Sequence, residues 1–327
     1  MAAGESRPGF GGRLAVDRMT KRERVLAAIR GDDVDRVPYS FWYHFPMEDK
    51  AGPEFIEAEV AFAVHYDVDI LKVMHDTPYD LPAGLEWVTK PSDWRALEPL
   101  DPRKGGFGRH LDALHAIRKR LPDDRPMVDT LFSPFSYAEK LSRKQTLRHL
   151  SEDPDALRHG LAAIAESVGA FGRTAIEDGA IDGMYLASSG GQYDLMPEPQ
   201  FAEVFLPHHR RVAEMCAPVG VCNVLHIHGT DVMWDLQAQM PAHVLHWSDR
   251  TTAPSLSEAR ARDARCFAGG VNEVDAHQRT PEELAEQVRA AIGELGGRKL
   301  IIATGCAVAT DIAEENLLAI ARAARGQ

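Results

Sequence analysis

Two histidines one residue apart, His226-Ile-His228, and a distant cysteine, Cys306, are the side chains whose types and spacing promise most chemistry. On a β-strand, residues two apart share a face, so both imidazoles point one way while Leu225 and Ile227 point the other. Two neutral imidazoles and one thiolate make an N/N/S donor set that suits zinc and leaves a position for substrate. The same residues also read as histidines hydrogen-bonding neighbours and a cysteine buried as a small hydrophobe. Spacing alone leaves both readings open. Asp76 is a second candidate, either a carboxylate with a raised pKa that binds substrate N–H groups or a cap or turn residue before Pro78. His208-His209 read as helix residues, Cys216, Cys222 and Cys266 as core, and the tryptophans mainly as packing.

The elements that must position these residues alternate along the chain. Short apolar or β-branched runs at Val37–Trp42, Val68–Met74, Met127–Phe132, Gly183–Ala187, Val224–His228, His243–Trp247, Cys266–Val271 and Leu300–Thr304 read as strands. Helical patterns lie between them. Thr20-Lys-Arg-Glu23 and Thr280-Pro-Glu-Glu283 are capping boxes, Pro53-Glu54 and Ser151-Glu-Asp-Pro154 are further starts, and an amphipathic helix follows Asp311. Repeated strand–helix alternation predicts parallel strands with crossovers, and eight of them predict a single α/β domain, a (β/α)8 TIM-type barrel over residues 20–327 with an N-terminal helix. Residues 1–19 read as a disordered tail. Residues 77–125, rich in Pro, Asp and Trp, read as an insertion over the barrel mouth. In such a barrel the active site gathers at the C-terminal strand ends. Those ends carry Tyr43-His44, His75-Asp76, Ser188 to Gln192, His226 to His228, Ser248-Asp249, Asn272-Glu273 and Gly305-Cys306.

Composition narrows the partners. The 327 residues carry 37 Lys+Arg against 49 Asp+Glu, a net charge of −12, with 44% hydrophobic residues. Without a basic run, the chain lacks the footprint that nucleic acid or an anionic membrane surface requires. It has neither a long uninterrupted apolar stretch nor an apolar core in its first residues, which reads as a cytoplasmic protein. Four scattered cysteines fit reduced thiols or metal ligation better than disulfides.

The ordered set Thr20-Lys-Arg-Glu-Arg24, Asp35-Arg-Val-Pro38, Asp69-Ile-Leu-Lys-Val-Met74, Leu225-His-Ile-His-Gly229, His246-Trp-Ser-Asp249, Gly269-Gly-Val-Asn272 and Thr304-Gly-Cys306 resembles the uroporphyrinogen decarboxylase superfamily. That superfamily includes methylcobamide:coenzyme M methyltransferases, and the resemblance implies the same barrel. The decarboxylases' arginine-rich N-terminal motif and closing Gly-His-Gly are missing, since within the matching segment, residues 35–44, no arginine follows Arg36, and the chain reads Gly305-Cys306-Ala307 near its end. The methyltransferase branch, with His-x-Cys and a distant Gly-Cys as zinc motif, is matched at His226 and Cys306, while His228 replaces the first cysteine. The resemblance therefore implies zinc-dependent methyl transfer, with His226, His228 and Cys306 as ligands and Asp249 as a further ligand or orienter. Asp76, His226 and Cys306 would be the catalytic residues. Tyr43, His44, Ser188, Gln192, Trp247 and Asp249 would contact a small-molecule substrate. A corrinoid protein is an implied partner, and a homodimer is the default assembly. The alternatives are cofactor-independent decarboxylation of uroporphyrinogen or a smaller acid, with Asp76 stabilising a protonated intermediate, and a non-catalytic tetrapyrrole or corrinoid carrier.

Overall fold

Seven strands form one sheet in the computed structural model, which describes residues 17–327. They are β1 (Leu71–Val73), β2 (Met127–Phe132), β3 (Gly183–Ser188), β4 (Val224–Ile227), β5 (Val244–His246), β6 (Cys266–Val271) and β7 (Leu300–Thr304). Each pairs in parallel with the next in chain order. Helices fill the crossovers, giving a TIM-like α/β fold.

The strands are buried on both faces, as a helix-covered parallel sheet demands. Their alternation sorts the core into two parts. Val128, Tyr185, Ala187, Val224, Val244, Ala268, Ile301 and Ala303 form an inner cluster. Met127, Leu131, Met184, Leu186, Leu225, Leu245 and Ile302 face the helices. The helix starts read from sequence are present: Thr20 and Thr280 cap Lys21–Arg30 and Pro281–Leu295 with reciprocal boxes. Asp153 caps the long helix Pro154–Glu177.

Three expectations are corrected or refined. The eighth strand, expected at Val37–Trp42, makes one parallel bridge, Tyr39 with Ile302, in place of a ladder. Pro38 has no N–H to give, and the Tyr39 N–H is taken by the Asp69 carboxylate at 3.0 Å, so donors for a longer ladder are lost. The segment over 77–125 is not a lid. Its helix Gly105–Arg120 is the β1–β2 crossover, and Trp94, Leu97, Phe107, Leu111 and Leu114 are buried in the helix-facing core. Trp94 packs against the long helix at Gly160, where any side chain would strike its ring. Residues 1–16 of the expected tail lie outside the described residues. The last three residues of that span are docked: the Arg18 and Met19 N–H groups donate to Asp35, and Asp17 meets Arg24 and Arg36 at 3.2 Å.

Candidate functional site

His226 lies in β4 and His228 one residue beyond its end, where the His228 N–H still donates to Ser188 O at 2.9 Å. Both side chains therefore keep the inward phase of Val224. Gly229 follows at φ +121, and a β-carbon there would sit 2.4 Å from Gln192, so only glycine permits the turn that ends this strand. Cys306 follows β7. Gly305 before it lets the backbone pass close to Ser248, whose Cα lies 2.6 Å from where a Gly305 β-carbon would be.

The three side chains converge. His226 Nε2 and His228 Nδ1 are 3.2 Å apart, and Cys306 Sγ is 3.8 Å from His228 Nδ1. All three ligand atoms lie within 4.8 Å of one another. Zinc bonds of about 2.0–2.1 Å to nitrogen and 2.3 Å to sulfur require tetrahedral edges of about 3.3 Å (N to N) and 3.6 Å (N to S), close to the two separations that His228 makes. The rings are inclined at 63°, which lets their in-plane lone pairs meet at a point. Burial keeps both imidazoles neutral: it drives the His226 pKa far below the ordinary value, helped by His246 and His228, and it lowers that of His228. Burial raises the Cys306 thiol, against the pull of the Ala307 N–H and Lys72. A divalent cation would reverse that last shift.

These residues stand at one end of a cavity of about 310 Å³, walled by Trp42, Phe132, Phe135 and Tyr185, with Lys72, Ser136, Ser189 and His44 adding polar atoms. His246 braces the floor. Its Nε2 lies 2.8 Å from Thr304 O and 3.0 Å from the Trp42 indole N–H, its Nδ1 is hydrogen-bonded to the Tyr185 hydroxyl at 2.8 Å, and its ring lies 4.6 Å from that of His226.

Of the residues expected at the site, His44, His226, His228 and Cys306 line this cavity. The others do not. Asp76 bonds His44 Nδ1 at 3.0 Å. Burial pushes its pKa up, but that bond wins and holds it below the usual carboxylate range, contrary to a raised value. Tyr43 stacks on Phe62 and donates to Thr310 O. Ser188 points to the helix face, donating to Gln237 and bonded to His209, while its neighbour Ser189 reaches the cavity. Gln192 donates to Thr230 O. Trp247 is buried against Phe267 and Trp234 and donates to Pro254 O. Asp249 accepts from the Gly270 N–H beside Arg250, outside the triad, with burial raising its pKa to about 7. Sequence reasoning passed over Lys72, Tyr185 and His246. Lys72 had a signal, a lone charge inside an apolar strand run.

Comparison with known proteins supports one grouping. The model of the family described as uroporphyrinogen decarboxylase (URO-D) matches residues 74–327. A methylated-thiol–coenzyme M methyltransferase from Methanosarcina mazei is 26% identical, covering 95% of this chain and 90% of its own. A methylcobamide:CoM methyltransferase from the same organism is 22% identical over 77% of this chain and 80% of its own. Among solved structures, a methyltransferase from M. mazei superposes with TM-score 0.79 at 20% identity, covering 94% of this chain and 98% of its own. A B12-independent methionine synthase from Shewanella sp. W3-18-1 gives 0.53 at 12% identity, over 89% of this chain and 93% of its own.

Proposed function

The chain belongs to the uroporphyrinogen decarboxylase family, and from that premise we propose that it is a zinc-dependent methyltransferase acting at a thiol sulfur, with a corrinoid protein as methyl carrier. Its named relatives are methyltransferases, which supports the reaction class. The observation that carries the zinc reading is the convergence of His226, His228 and Cys306 at the end of an aromatic-walled cavity. Zinc held there supplies Lewis acidity, lowering the pKa of a coordinated thiol so that its sulfur is nucleophilic near neutral pH.

The chain's own residues do the rest. His226 and His228 offer neutral lone pairs, and Cys306 must give up its proton on metal uptake, which makes loading pH-dependent. His228, standing where the methyltransferase motif has cysteine, removes one negative charge from the donor set and leaves the site less electron-rich. Trp42 and Tyr185 keep water from the inner side, and the Tyr185–His246–Thr304 chain fixes the ring against which His226 rests. Asp76 acts through His44 at the rim. In this reading Val37–Trp42 is the eighth stave of a (β/α)8 barrel, and the protein works in the cytoplasm. No helix is long and apolar enough to cross a membrane among the described residues. Decarboxylation of a many-carboxylate porphyrinogen has little to rest on, since no arginine lines the cavity among the described residues.

Metal analysis of the purified protein tests the proposal. The expected result is one zinc per chain, lost in Cys306→Ala, together with zinc-dependent methyl transfer between methylcobalamin and a simple thiol. Protein without zinc, or zinc content indifferent to Cys306→Ala, refutes it.

A further inference from the structure

A buried ammonium faces this cavity with no carboxylate in salt-bridge contact among the described residues, the cavity's one lining carboxylate being Glu139. Lys72 lies in β1, is 5% exposed and lines the cavity wall. Its Nζ approaches only the thioether of Met74, and it makes no salt bridge among the described residues. Glu59, the charge that acts on it most strongly, has one carboxylate oxygen engaged by the Met74 N–H at 3.3 Å. The faces of Tyr185 and Trp42, at 5.0 and 6.0 Å from the ammonium, give partial compensation. A buried charge without a hydrogen-bonding counter-ion is costly, so the arrangement favours a ligand that brings one. Lys72 lines the same cavity as His226, His228 and Cys306.

The cavity's size and lining bear on the rest of the ligand. An apolar space of about 150 Å³ accommodates a benzene ring, and this one is about 310 Å³ with Trp42, Phe132, Phe135 and Tyr185 as walls. A two- or three-carbon thiol would leave most of that apolar surface wet. Lys140, its ammonium 3.9 Å above the Phe132 ring, adds positive charge at the rim.

We propose that the cavity selects an aromatic thiol carrying a carboxylate, with its sulfur at His226, His228 and Cys306, its ring against the aromatic walls and its carboxylate on Lys72. The inference rests on the thiol-binding reading above and adds the substrate class. Lys72 is then the specificity-determining residue.

Isothermal titration of the zinc-loaded protein with 2-mercaptobenzoate, thiophenol and 3-mercaptopropionate tests it. The carboxylated ring is expected to bind at least about tenfold more tightly than the uncharged ring, the scale of one charge-assisted contact, and at least about tenfold more tightly than the open-chain acid, through burial of the ring's apolar surface. Lys72→Met should erase the advantage over thiophenol. Equal affinity for 2-mercaptobenzoate and thiophenol, equal affinity for 2-mercaptobenzoate and 3-mercaptopropionate, or a preference that survives Lys72→Met overturns the substrate class while the thiol reading stands. Failure of all three to bind zinc-loaded protein overturns both. The comparison among the three thiols on the unsubstituted protein decides the matter even if the variant fails to fold.

Discussion

The sheet carries a pair of histidines and one partner on each of its two faces. On the inner face His226 and His228 meet Cys306; on the helix-covered face His75 and His110 meet Asp129. By count and proximity both groups are able to hold a metal ion, but the orientation of the rings separates them. The inner rings are inclined at 63°, an arrangement that allows in-plane lone pairs to be aimed at one ion. The outer rings are stacked 3.9 Å apart and only 17° from parallel, so their in-plane lone pairs run side by side and cannot meet at one ion. Each outer ring instead donates an N–H to Asp129, at 3.3 and 2.9 Å, and both rings and the carboxylate are buried. Proximity of donors is thus insufficient for a metal site; convergence of their lone pairs is the added requirement. The outer group ties β1 and β2 to the crossover helix Gly105–Arg120, and the inner group opens on a cavity.

Removing the partner residue should break the comparison most sharply. Asp129→Ala leaves two imidazole N–H groups buried without an acceptor and should cost about 3–5 kcal/mol of stability, read by urea unfolding. Zinc per folded molecule should stay unchanged. A stable Asp129→Ala protein that has lost zinc would reverse the roles assigned to the two faces. Cys306→Ala should do the opposite, changing unfolding by less than about 1 kcal/mol in metal-free protein while weakening zinc binding by about a hundredfold, or 2.7 kcal/mol. Competition with a chelator measures the second figure.

The period-two argument that placed both imidazoles of the β4 motif on one face also applies to the neighbours it was not used for. Carried along β3, it puts Tyr185 and Ala187 inward and sends Ser188 to the helices; carried along β5, it puts His246 inward and Trp247 outward. It would likewise have singled out Lys72, in phase with Ile70. The alternation was therefore legible, but chemical type was weighed ahead of phase at Ser188 and Trp247. Convergence of Cys306 on the β4 histidines was legible only through the family motif, because residues this far apart in the chain meet through the whole sheet order. The closing segment at Val37–Trp42 makes one bridge and no ladder for a local reason, the diversion of the Tyr39 N–H to Asp69, which strand propensity does not register.

Acid should affect the faces unequally. Burial holds the His75 pKa down to about 4, assisted by His110 and opposed by Asp129, against an ordinary 6.5. The unfolded chain then takes up the proton first as pH falls, so stability is full above about pH 6.5 and declines toward about pH 4, by up to about 1.4 kcal/mol per pH unit. His246, held down to about 3 chiefly by burial, adds to the same decline. On the inner face protons also compete with the ion for the His226, His228 and Cys306 atoms. The extra stability conferred by zinc should therefore shrink between about pH 7 and pH 5, as seen by unfolding loaded and chelated protein at both. Zinc stabilisation that grows on acidification would contradict a histidine–thiolate site.

The smallest effect isolates how the inner face is braced. Tyr185→Phe removes the hydroxyl hydrogen-bonded to His246 Nδ1 at 2.8 Å and leaves that buried nitrogen without its partner. The cost should be about 1 kcal/mol in unfolding. The His226 ring is held by contact with the rings of His246 and Tyr185 at 4.6 and 5.5 Å, and phenylalanine preserves the second of these. Zinc affinity should accordingly fall by less than about tenfold, below the range expected when a group hydrogen-bonded to a ligand is lost. A larger fall would mean that the Tyr185 hydroxyl, through His246, sets the orientation of His226, and that a hydrogen-bonded carrier is needed on the inner face as it is at Asp129 on the outer one.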